Sequence, residues 1–378
     1  MRGFAEAIPA RMHPVGFTGK LLDRYLANGW YRMGTRMFTC RYNYYPWGFL
    51  TTVWTRLPLA GHAFPKRTAK VMRRNARAGL RHEVHRARAG APEERVFAAY
   101  AAAKDYDLHE DAAHYCTSDP EAPFDTWQVS VYDPDDRLVA FSYFDLGARA
   151  AQSVCGFYDP AYERHSLGVY TLALEVEHCK RTRRTHHYAG YLVPGNPTFE
   201  YKRRVGALEY FDDVRQRWHP IDDLDFAQLP DAVMRAALAD YGRLYDSLGR
   251  AYTALLRPRY FIGVSHRELQ WLRREPLPFC ITDDRANRRP FWACHFYSYN
   301  YRRYFSLLCT SHTYERSSLE EPPAHLLRPG RAAALERTTA HEPQGSGVAV
   351  GMLHHSRQPY TAADLQRVWW AVAEANKR

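Results

Sequence analysis

A chain of 378 residues with 46% apolar and 14% aromatic side chains has enough apolar material for two packed domains, or for one large domain with an appended module. Its formal charge is +11, from 52 basic against 41 acidic side chains, and 45 of the basic ones are arginine. This composition excludes a globally disordered chain, and the arginine excess favours a phosphate-bearing partner such as nucleic acid.

The pattern of cysteines and the lengths of the apolar runs indicate the cellular compartment. Seven cysteines occur at positions 40, 116, 155, 179, 280, 294 and 309, and none of them forms a C-x-x-C pair. Such a set is typical of a reducing compartment, where cysteine behaves as a small apolar residue. No apolar run reaches the roughly 18 residues that a membrane span needs, and the N-terminus lacks the apolar stretch of a signal peptide. We therefore expect a cytoplasmic protein without a membrane partner.

Residues 1–64 predict a small N-terminal element, with a short helix over Gly19–Asn28 and strand-like alternation over Gly48–Arg56. Next comes Pro65–Arg88, where nine Lys or Arg side chains accompany one acidic one. Helical spacing places its first cations on neighbouring turns, which predicts a basic ridge that meets phosphates, although a solvated helix face is the alternative. The cations predicted to contact phosphates are Lys66, Arg67, Lys70, Arg73, Arg74 and Arg77.

The main domain is expected to span residues 65–225. Its predicted strands Trp127–Val131, Leu138–Asp145 and Gln152–Tyr158 form an antiparallel meander that leads into a helix beginning at Ser166. A further strand is predicted over residues 187–193. The pattern alone indicates an α+β fold with a mostly antiparallel sheet.

The chain beyond residue 225 has a different character. Residues 226–257 predict one long amphipathic helix, and residues 258–378 predict a C-terminal module of unknown role. Within that module we expect a strand or a hairpin around residues 291–310, a loop and helix over Pro322–His341, and a last helix opened by Thr361-x-x-Asp364.

The sequence Ser166-Leu167-Gly168 at a helix start gives the strongest site signal. Ser166 is expected to cap the helix, and the free amides of Leu167 and Gly168 then point out of its N-terminus, where a carbonyl oxygen or a phosphate is stabilised. The alternative is an ordinary N-cap with a small residue for close packing.

Several short motifs together resemble the aminoacyl-tRNA–protein transferases, the arginyl- and leucyl-transferases of the N-degron pathway. The motifs that carry the resemblance are Tyr25–Gly34, Tyr158-Asp159-Pro160, Ser166–Tyr170, Tyr188 with Gly190-Tyr191, and Tyr201-Lys202. The resemblance implies an acetyltransferase-like (GNAT) fold. It also implies transfer of an amino acid, arginine or leucine, from aminoacyl-tRNA to the N-terminal amine of an acceptor protein or peptide.

The chain departs from that family at its cysteines. The family carries cysteine pairs near the N-terminus and a cysteine beside the final Tyr-Lys, whereas here Cys40 stands alone and Pro194–Glu200 contains Gly-Asn-Pro. We therefore expect no metal and no cofactor.

Roles for individual residues follow from the resemblance and from the chemistry of their side chains. Asp145 or Asp159 is expected to hold the incoming amine or to relay its proton, although Asp159 before a proline also suits a turn. Lys202 is expected to neutralise the leaving oxygen or a phosphate, and the resemblance makes the six phosphate-contacting cations of Pro65–Arg88 the predicted tRNA-binding residues. The predicted catalytic residues are Asp145, Asp159, Ser166, Gly168 and Lys202. The predicted substrate-binding residues are Tyr158, Leu167, Tyr170, Tyr188, Tyr191 and Tyr201.

Two other functions are compatible with the sequence. An N-acetyltransferase that uses acetyl-CoA shares the expected fold, but Arg164–Gly168 offers only one glycine for a pyrophosphate loop. A non-catalytic tRNA- or RNA-binding homologue is the second alternative.

Overall fold

A computed structural model describes residues 10–12, 18–45, 48–104, 111–116, 124–255, 262–264, 280–283, 291–312 and 346–377. The chain divides into two units. Unit 1 comprises residues 1–43 and 52–224, and unit 2 comprises residues 44–51 and 225–378. No helix among the described residues combines the length and apolar character needed to cross a membrane.

Unit 1 is an α+β unit built on an eight-stranded sheet. Its helices are α1 (Gly19–Ala27), α2 (Lys66–Arg77), α3 (Ala91–Ala102), α4 (Leu167–Arg181) and the short α5 (Pro197–Glu200). The sheet strands are β6 (Val53–Pro58), β7 (Arg81–Arg86), β8 (Thr126–Tyr132), β9 (Leu138–Leu146), β10 (Ala150–Tyr158), β11 (His186–Leu192), β12 (Glu209–Asp212) and β13 (Arg217–Pro220). Their order across the sheet is β13-β12-β6-β11-β10-β9-β8-β7.

The sheet is antiparallel except where β10 meets β11, which confirms the mostly antiparallel sheet and the β8–β9–β10 meander expected from the sequence. Because parallel neighbours need a crossover, the chain leaves β10, forms α4 and returns to the sheet as β11. The parallel pairing covers only three residue pairs, from Ala150 with His186 to Gln152 with Tyr188. Beyond that point the two strands no longer pair with each other.

Helices α3 and α4 pack against opposite faces of β9 and β10. On one face the α3 side chain Phe97 lies 5.0 Å from Phe157, ring centre to ring centre. On the other face the α4 side chain His178 lies 5.6 Å from Phe144. All nine residues of β9 are buried, as expected for a central strand covered on both sides.

Helix α2 lies beside α4 and is anchored by polar side chains. The hydroxyl of Thr68 donates to the carbonyl of Arg204, and the amide of Asn75 donates to the carbonyl of His165 at 3.0 Å. The helix ends at Arg77, and Gly79 then adopts a φ of +77° before the edge strand β7 begins. The basic segment up to Arg88 is therefore a helix followed by a strand.

The first part of unit 1 packs on the sheet through aromatic side chains. Its remaining strands are β1 (Ala10–Met12), β2 (Tyr31–Met33) and β3 (Arg36–Thr39), which form a separate sheet in the order β1-β3-β2. Tyr31 stacks on Trp54 of β6 with ring centres 4.1 Å apart, so this element shares a core with the main sheet. The strand predicted over Gly48–Arg56 is divided at Thr52, whose amide donates to the carbonyl of Arg41 at 2.8 Å.

Unit 2 contains a six-stranded sheet with two helices, α6 (Pro230–Ser247) and α7 (Ala362–Ala375). Its strands are β14 (Tyr252–Leu255), β15 (Ile262–Val264), β16 (Cys280–Asp283), β17 (Phe291–Ser298), β18 (Arg303–His312) and β19 (Ser346–Ser356), in the order β14-β16-β17-β18-β19-β15. Two short strands, β4 (Tyr42–Tyr45) and β5 (Gly48–Thr51), form a further two-stranded sheet.

Two sequence predictions for this part of the chain are confirmed and one is corrected. The hairpin around residues 291–310 is β17 with β18, and Thr361 with Asp364 forms the expected capping box of α7. The long helix ends at Ser247 instead of continuing to residue 257, because Gly249 has a φ of +61° and Tyr252–Leu255 pair as a strand. The predicted loop and helix over Pro322–His341 lie outside the described residues.

Candidate functional site

A crevice opens where β10 and β11 stop pairing. Although β10 is a central strand, Ser153, Val154, Cys155 and Gly156 are each partly exposed. A short 3-10 segment over Pro160–His165, kinked at Tyr162, then leads to α4, so the α4 N-terminus lies at the same end of the sheet. Ligands bind preferentially in such crevices at the carboxyl ends of strands.

Ser166 does not cap α4 with its side chain, contrary to the sequence prediction. It occupies the N-cap position in the left-handed conformation, with φ 54° and ψ 48°, and its hydroxyl makes no capping hydrogen bond. The Ser166 hydroxyl instead accepts a hydrogen bond from Nη2 of Arg74 on α2, at 3.5 Å. Non-glycine residues adopt this conformation at a cost of about 1 kcal/mol, and such outliers cluster at functional sites.

The first two amides of α4 lack a backbone acceptor among the described residues, and of the two residues Gly168 is partly exposed whereas Leu167 is 0% exposed, so the Gly168 amide is the one available to a ligand. Within the described part of the chain, neither the Leu167 nor the Gly168 amide donates to a backbone carbonyl. A side chain at Gly168 would meet the ring of Tyr158 at 3.9 Å, so the helix start and the end of β10 are in contact. Unpaired amides and the positive end of the helix dipole make this position suitable for an oxyanion or a phosphate.

Lys202 reaches the other side of the crevice from the turn that follows α5. Its Nζ donates to the carbonyl of Tyr191 at 2.8 Å and lies 5.3 and 5.4 Å from the ring centres of Tyr191 and Phe199. None of the described carboxylates forms an ion pair with it. Burial lowers the pKa of Lys202 to about 8. A half-buried ammonium without a counter-charge is a suitable partner for an anionic ligand.

Asp145 is placed in the core and not in the crevice. Its carboxylate is fully buried, accepts a hydrogen bond from Thr126 at 2.7 Å and lies 3.5 Å from Nε of Arg32. Burial raises the pKa of Asp145, and the charge of Arg32 opposes that rise. A side chain without exposed surface cannot hold an incoming amine, so the structure contradicts this catalytic role.

Asp159 serves the turn, which was the alternative interpretation from the sequence. Its side chain accepts a hydrogen bond from the amide of Ala161 at 2.9 Å and opens the 3-10 turn before α4. An Asp that precedes proline commonly closes a turn in this way. The contribution of Asp159 to the site is therefore the path of the chain from β10 to α4.

The predicted substrate-binding residues divide into two groups. Tyr158, Tyr191 and Tyr201 are partly exposed around the crevice, and Tyr201 opens the turn that carries Lys202. In contrast, the side chains of Leu167, Tyr170 and Tyr188 are buried in the core, with exposures of 0%, 4% and 2%. Direct contact between these three side chains and a substrate is contradicted, because they have almost no accessible surface.

The six cations predicted to bind tRNA all lie on α2 and are all exposed. The buried positions of this helix are Thr68 and Asn75. Arg74 of α2 contacts Ser166, so the cationic face of α2 adjoins the N-terminus of α4. We call this N-terminus, Ser166–Gly168, the α4 mouth.

The structure also reveals polar residues that the sequence did not single out. Glu175 and His187 form a buried pair, 2.9 Å from Oε2 to Nε2, between α4 and β11. Ser153 donates to the same carboxylate at 3.4 Å, which places the pair below the crevice. The sequence gives no signal for this pair, because it forms only when α4 packs on the sheet.

Arg32 lies within Tyr25–Gly34, one of the motifs that resemble the transferase family, but no role was predicted for it. It is 2% exposed, and its guanidinium donates to the carbonyl of Gly34 at 2.8 Å and to that of Tyr115 at 3.3 Å.

The described residues do not assemble a recognisable metal centre, since no three His, Cys, Asp or Glu side chains are grouped suitably. Cys40 stands alone near the N-terminus, where the family carries cysteine pairs. Its side chain is buried, and burial raises the pKa of its thiol to about 12. A protonated thiol of this kind is a poor metal ligand.

The region that contains this crevice is similar to a known protein family. Residues 87–212 match the family model described as arginine-tRNA-protein transferase, C terminus. This segment belongs to the aminoacyl-tRNA–protein transferase family. The family resemblance inferred from the sequence motifs is therefore confirmed for the transferase segment, residues 87–212. All of the predicted catalytic and substrate-binding residues lie within it, whereas α2 lies before it.

Two curated relatives share sequence with the chain. An aspartate/glutamate leucyltransferase of Xanthomonas euvesicatoria pv. vesicatoria is 36% identical over 84 residues, which are 22% of this chain and 34% of the relative. One of Hyphomonas neptunium is 37% identical over 91 residues, which are 24% of this chain and 35% of the relative. The chain thus spans about a third of the length of the curated relatives that it matches.

Among solved structures, L-PGS from Bacillus licheniformis aligns with 36% of this chain and 46% of its own, at 13% identity and a TM-score of 0.28. An overlap of this size supports no statement about the fold.

Proposed function

We propose that the protein transfers an amino acid, arginine or leucine, from aminoacyl-tRNA to the N-terminal amine of a protein or peptide. The observation that supports this most directly is the arrangement around the α4 mouth. The unpaired amide of Gly168, which is partly exposed, adjoins a cationic helix through the contact of Arg74 with Ser166. This arrangement lies at a crevice within a segment that matches the transferase family.

The proposed reaction needs positioning more than a strong base. The acceptor amine attacks the ester carbonyl, a C–N bond forms, and the C–O bond to the ribose of the tRNA breaks. An α-amine has a pKa of about 7.7 to 8.0, so roughly a tenth of it is neutral at pH 7, at a cost of about 1 kcal/mol. The amide of Gly168 stabilises the oxyanion, and Lys202 stabilises the charge that develops on the leaving oxygen.

The proposal extends to the fold and to the setting of the reaction. We propose a GNAT-like arrangement for residues 65–225, supported by the β10–α4–β11 crossover and by the short parallel pairing that leaves a crevice. A cytoplasmic location and a role in the N-degron pathway are parts of the same proposal.

The test is a transfer assay with the purified full chain. Radiolabelled arginyl-tRNA and leucyl-tRNA are each supplied with peptides that begin with acidic, basic or neutral residues, and label is counted in the peptide. We expect transfer from at least one of the two donors. Lys202→Met should lower the rate by at least tenfold, whereas Arg215→Ala, a change in an exposed turn, should leave it unchanged.

The outcomes separate the alternatives. Absence of transfer from every aminoacyl-tRNA contradicts the proposal. Salt-dependent tRNA binding without transfer indicates a non-catalytic RNA-binding homologue. Sub-millimolar binding of CoA in calorimetry, with acetyl transfer to the peptides, indicates an acetyltransferase.

A further inference from the structure

The turn between β17 and β18 in unit 2 places an exposed tyrosine next to two arginines. The turn comprises residues 299–302, and Tyr301 within it is 53% exposed. The rings of Tyr301 and Phe305 are nearly perpendicular, with centres 6.4 Å apart. Arg302 has a φ of 51°, a conformation for which hairpin turns favour glycine. The turn therefore carries an arginine at a position where a side chain is energetically unfavourable.

The two arginines of the turn lie beside aromatic and imidazole rings. The guanidinium carbon of Arg302 lies 3.9 Å from the ring centre of Tyr299, and Arg302 remains exposed. On the neighbouring strand β19, Nδ1 of His355 lies 3.3 Å from Nη1 of Arg303. The exposed His355 ring also lies 5.9 Å from the ring of Phe305, centre to centre. We call the group Tyr301, Arg302, Arg303 and His355 the tip surface.

Negative charge is missing from the strands that carry the tip surface. Strands β17, β18 and β19 are neighbours in the sheet, and neither residues 291–312 nor residues 346–360 include an aspartate or a glutamate. None of the described carboxylates forms an ion pair with Arg302 or Arg303. Two arginines that are not neutralised within the described part of unit 2 make the tip surface complementary to an anionic partner.

The combination of rings and cations favours RNA with unpaired bases over other anions. An exposed tyrosine ring stacks on the flat face of a base, and arginines beside it meet the phosphates that flank that base. A guanidinium that lies over a tyrosine ring, as Arg302 does, adds a second planar surface for stacking. Base pairing hides the faces of bases within a duplex, and an acidic peptide segment uses the cations without needing the ring.

We propose that the tip surface binds an unpaired segment of RNA, with a base stacked on Tyr301 and the flanking phosphates at Arg302 and Arg303. The tip surface belongs to unit 2, outside the transferase segment, residues 87–212. The inference therefore goes beyond the proposed function, and it holds whether or not the protein transfers an amino acid.

The test is a binding titration with the full chain. The chain carries Lys70→Ala and Arg73→Ala, so that α2 contributes less to the signal, and fluorescence anisotropy follows a labelled single-stranded RNA of about 12 nucleotides. Adding Tyr301→Ala should raise the Kd about tenfold, whereas Tyr301→Phe should keep it within about twofold, because stacking needs the ring and not the hydroxyl. Trp370→Ala, which removes a 69% exposed aromatic side chain from α7, is the matched control and should leave the Kd unchanged.

Three outcomes of the titration overturn the inference. The first is an unchanged Kd in the variant with Tyr301→Ala. The second is equal affinity for a duplex of the same sequence, because a duplex offers no free base face along its length. The third is displacement of the RNA by polyglutamate at the same concentration as by unlabelled RNA, which would identify an acidic protein segment as the partner.

A local measurement shows whether the RNA lies at the tip surface. Tyr301→Trp adds one indole at the turn, and we expect RNA to quench the additional fluorescence when a base stacks on it. Arg302→Ala with Arg303→Ala in the same chain should raise the RNA concentration needed for quenching. If RNA binds to the Tyr301→Trp variant without changing the additional fluorescence, its site is elsewhere and the inference fails. The titrations contain no aminoacyl-tRNA, so a failure of the transfer assay leaves their result unaffected.

Discussion

The guanidinium of Arg74 lies 3.5 Å from the hydroxyl of Ser166, and this contact connects the cationic helix α2 to the start of α4. Residues separated by 92 positions are thereby combined into one surface, with exposed cations on one side and the unpaired, partly exposed amide of Gly168 on the other. The surface is suited to a phosphate backbone that ends in an activated carbonyl group.

Removing two cations from α2 should weaken tRNA binding in a salt-dependent way. For the double change Lys70→Ala with Arg73→Ala, we expect the slope of log K against log salt concentration to fall by roughly 1 to 2, because each phosphate contact releases about one counterion. Filter binding at several salt concentrations measures the slope. Arg95→Ala serves as the control on the other face of the sheet, and an unchanged slope in the double variant would contradict a phosphate-binding role for α2.

The side chain of Ser166 should contribute little to the stability of α4. Ser166→Ala is expected to change the free energy of unfolding by less than about 0.5 kcal/mol, because no capping hydrogen bond is lost. Ser166→Gly is expected to stabilise the protein by roughly 0.5 to 1 kcal/mol, since glycine adopts a φ of 54° without strain. Urea denaturation measures both, and a loss of more than about 1 kcal/mol in the alanine variant would show that the hydroxyl is a cap after all.

The ion pair of Arg32 with Asp145 should be structural. Asp145→Asn leaves a buried guanidinium without its counter-charge, and we expect a loss of about 3 to 5 kcal/mol in the free energy of unfolding. The double change Arg32→Met with Asp145→Leu should recover part of that loss. If Asp145→Asn has the free energy of unfolding of the wild-type protein but no longer transfers an amino acid, the catalytic role expected from the sequence is supported instead.

The pH dependence of ligand binding should follow Lys202. With a pKa of about 8, the Lys202 ammonium is present below pH 8 and is lost as the pH rises through that value. Binding of an anionic tRNA end should therefore weaken between about pH 7 and pH 9, and Lys202→Arg should remove this dependence because arginine stays charged.

The free energy of unfolding should rise with pH over part of this range, whereas ligand binding weakens. The folded-state pKa of Lys202, about 8, lies below the roughly 10.4 of an unfolded lysine. Between these values the unfolded chain binds more protons than the folded one, so the contribution of Lys202 to stability rises with pH. Heteronuclear NMR of labelled lysine gives the pKa directly, because the chain has only seven lysines and Lys202→Arg assigns the signal. An ordinary lysine pKa would contradict the burial of its Nζ.

The sequence predicted what local patterns and ordered motifs encode. Apolar segments separated by turn residues placed β8, β9 and β10, and the helix that starts at Ser166 was expected at its observed position. The cations of α2 were recognised because helical spacing alone brings them together.

The sequence could not show which polar residues become buried. An aspartate at the end of an apolar strand has the same local pattern whether it faces a crevice or, as Asp145 does, a buried arginine more than 100 positions away. The conformation of Ser166 also depends on tertiary context, because the hydroxyl exchanges a capping bond for the contact with Arg74.

The most direct test of the proposed site is a crystal structure with a stable analogue of the aminoacyl end, in which an amide links leucine or arginine to the 3′ position of adenosine. We predict that the carbonyl oxygen of the analogue lies about 3 Å from the amide of Gly168, with the ribose facing Lys202. An analogue bound elsewhere on the molecule, or an α4 mouth closed by neighbouring side chains when the analogue is present at millimolar concentration, would contradict the account.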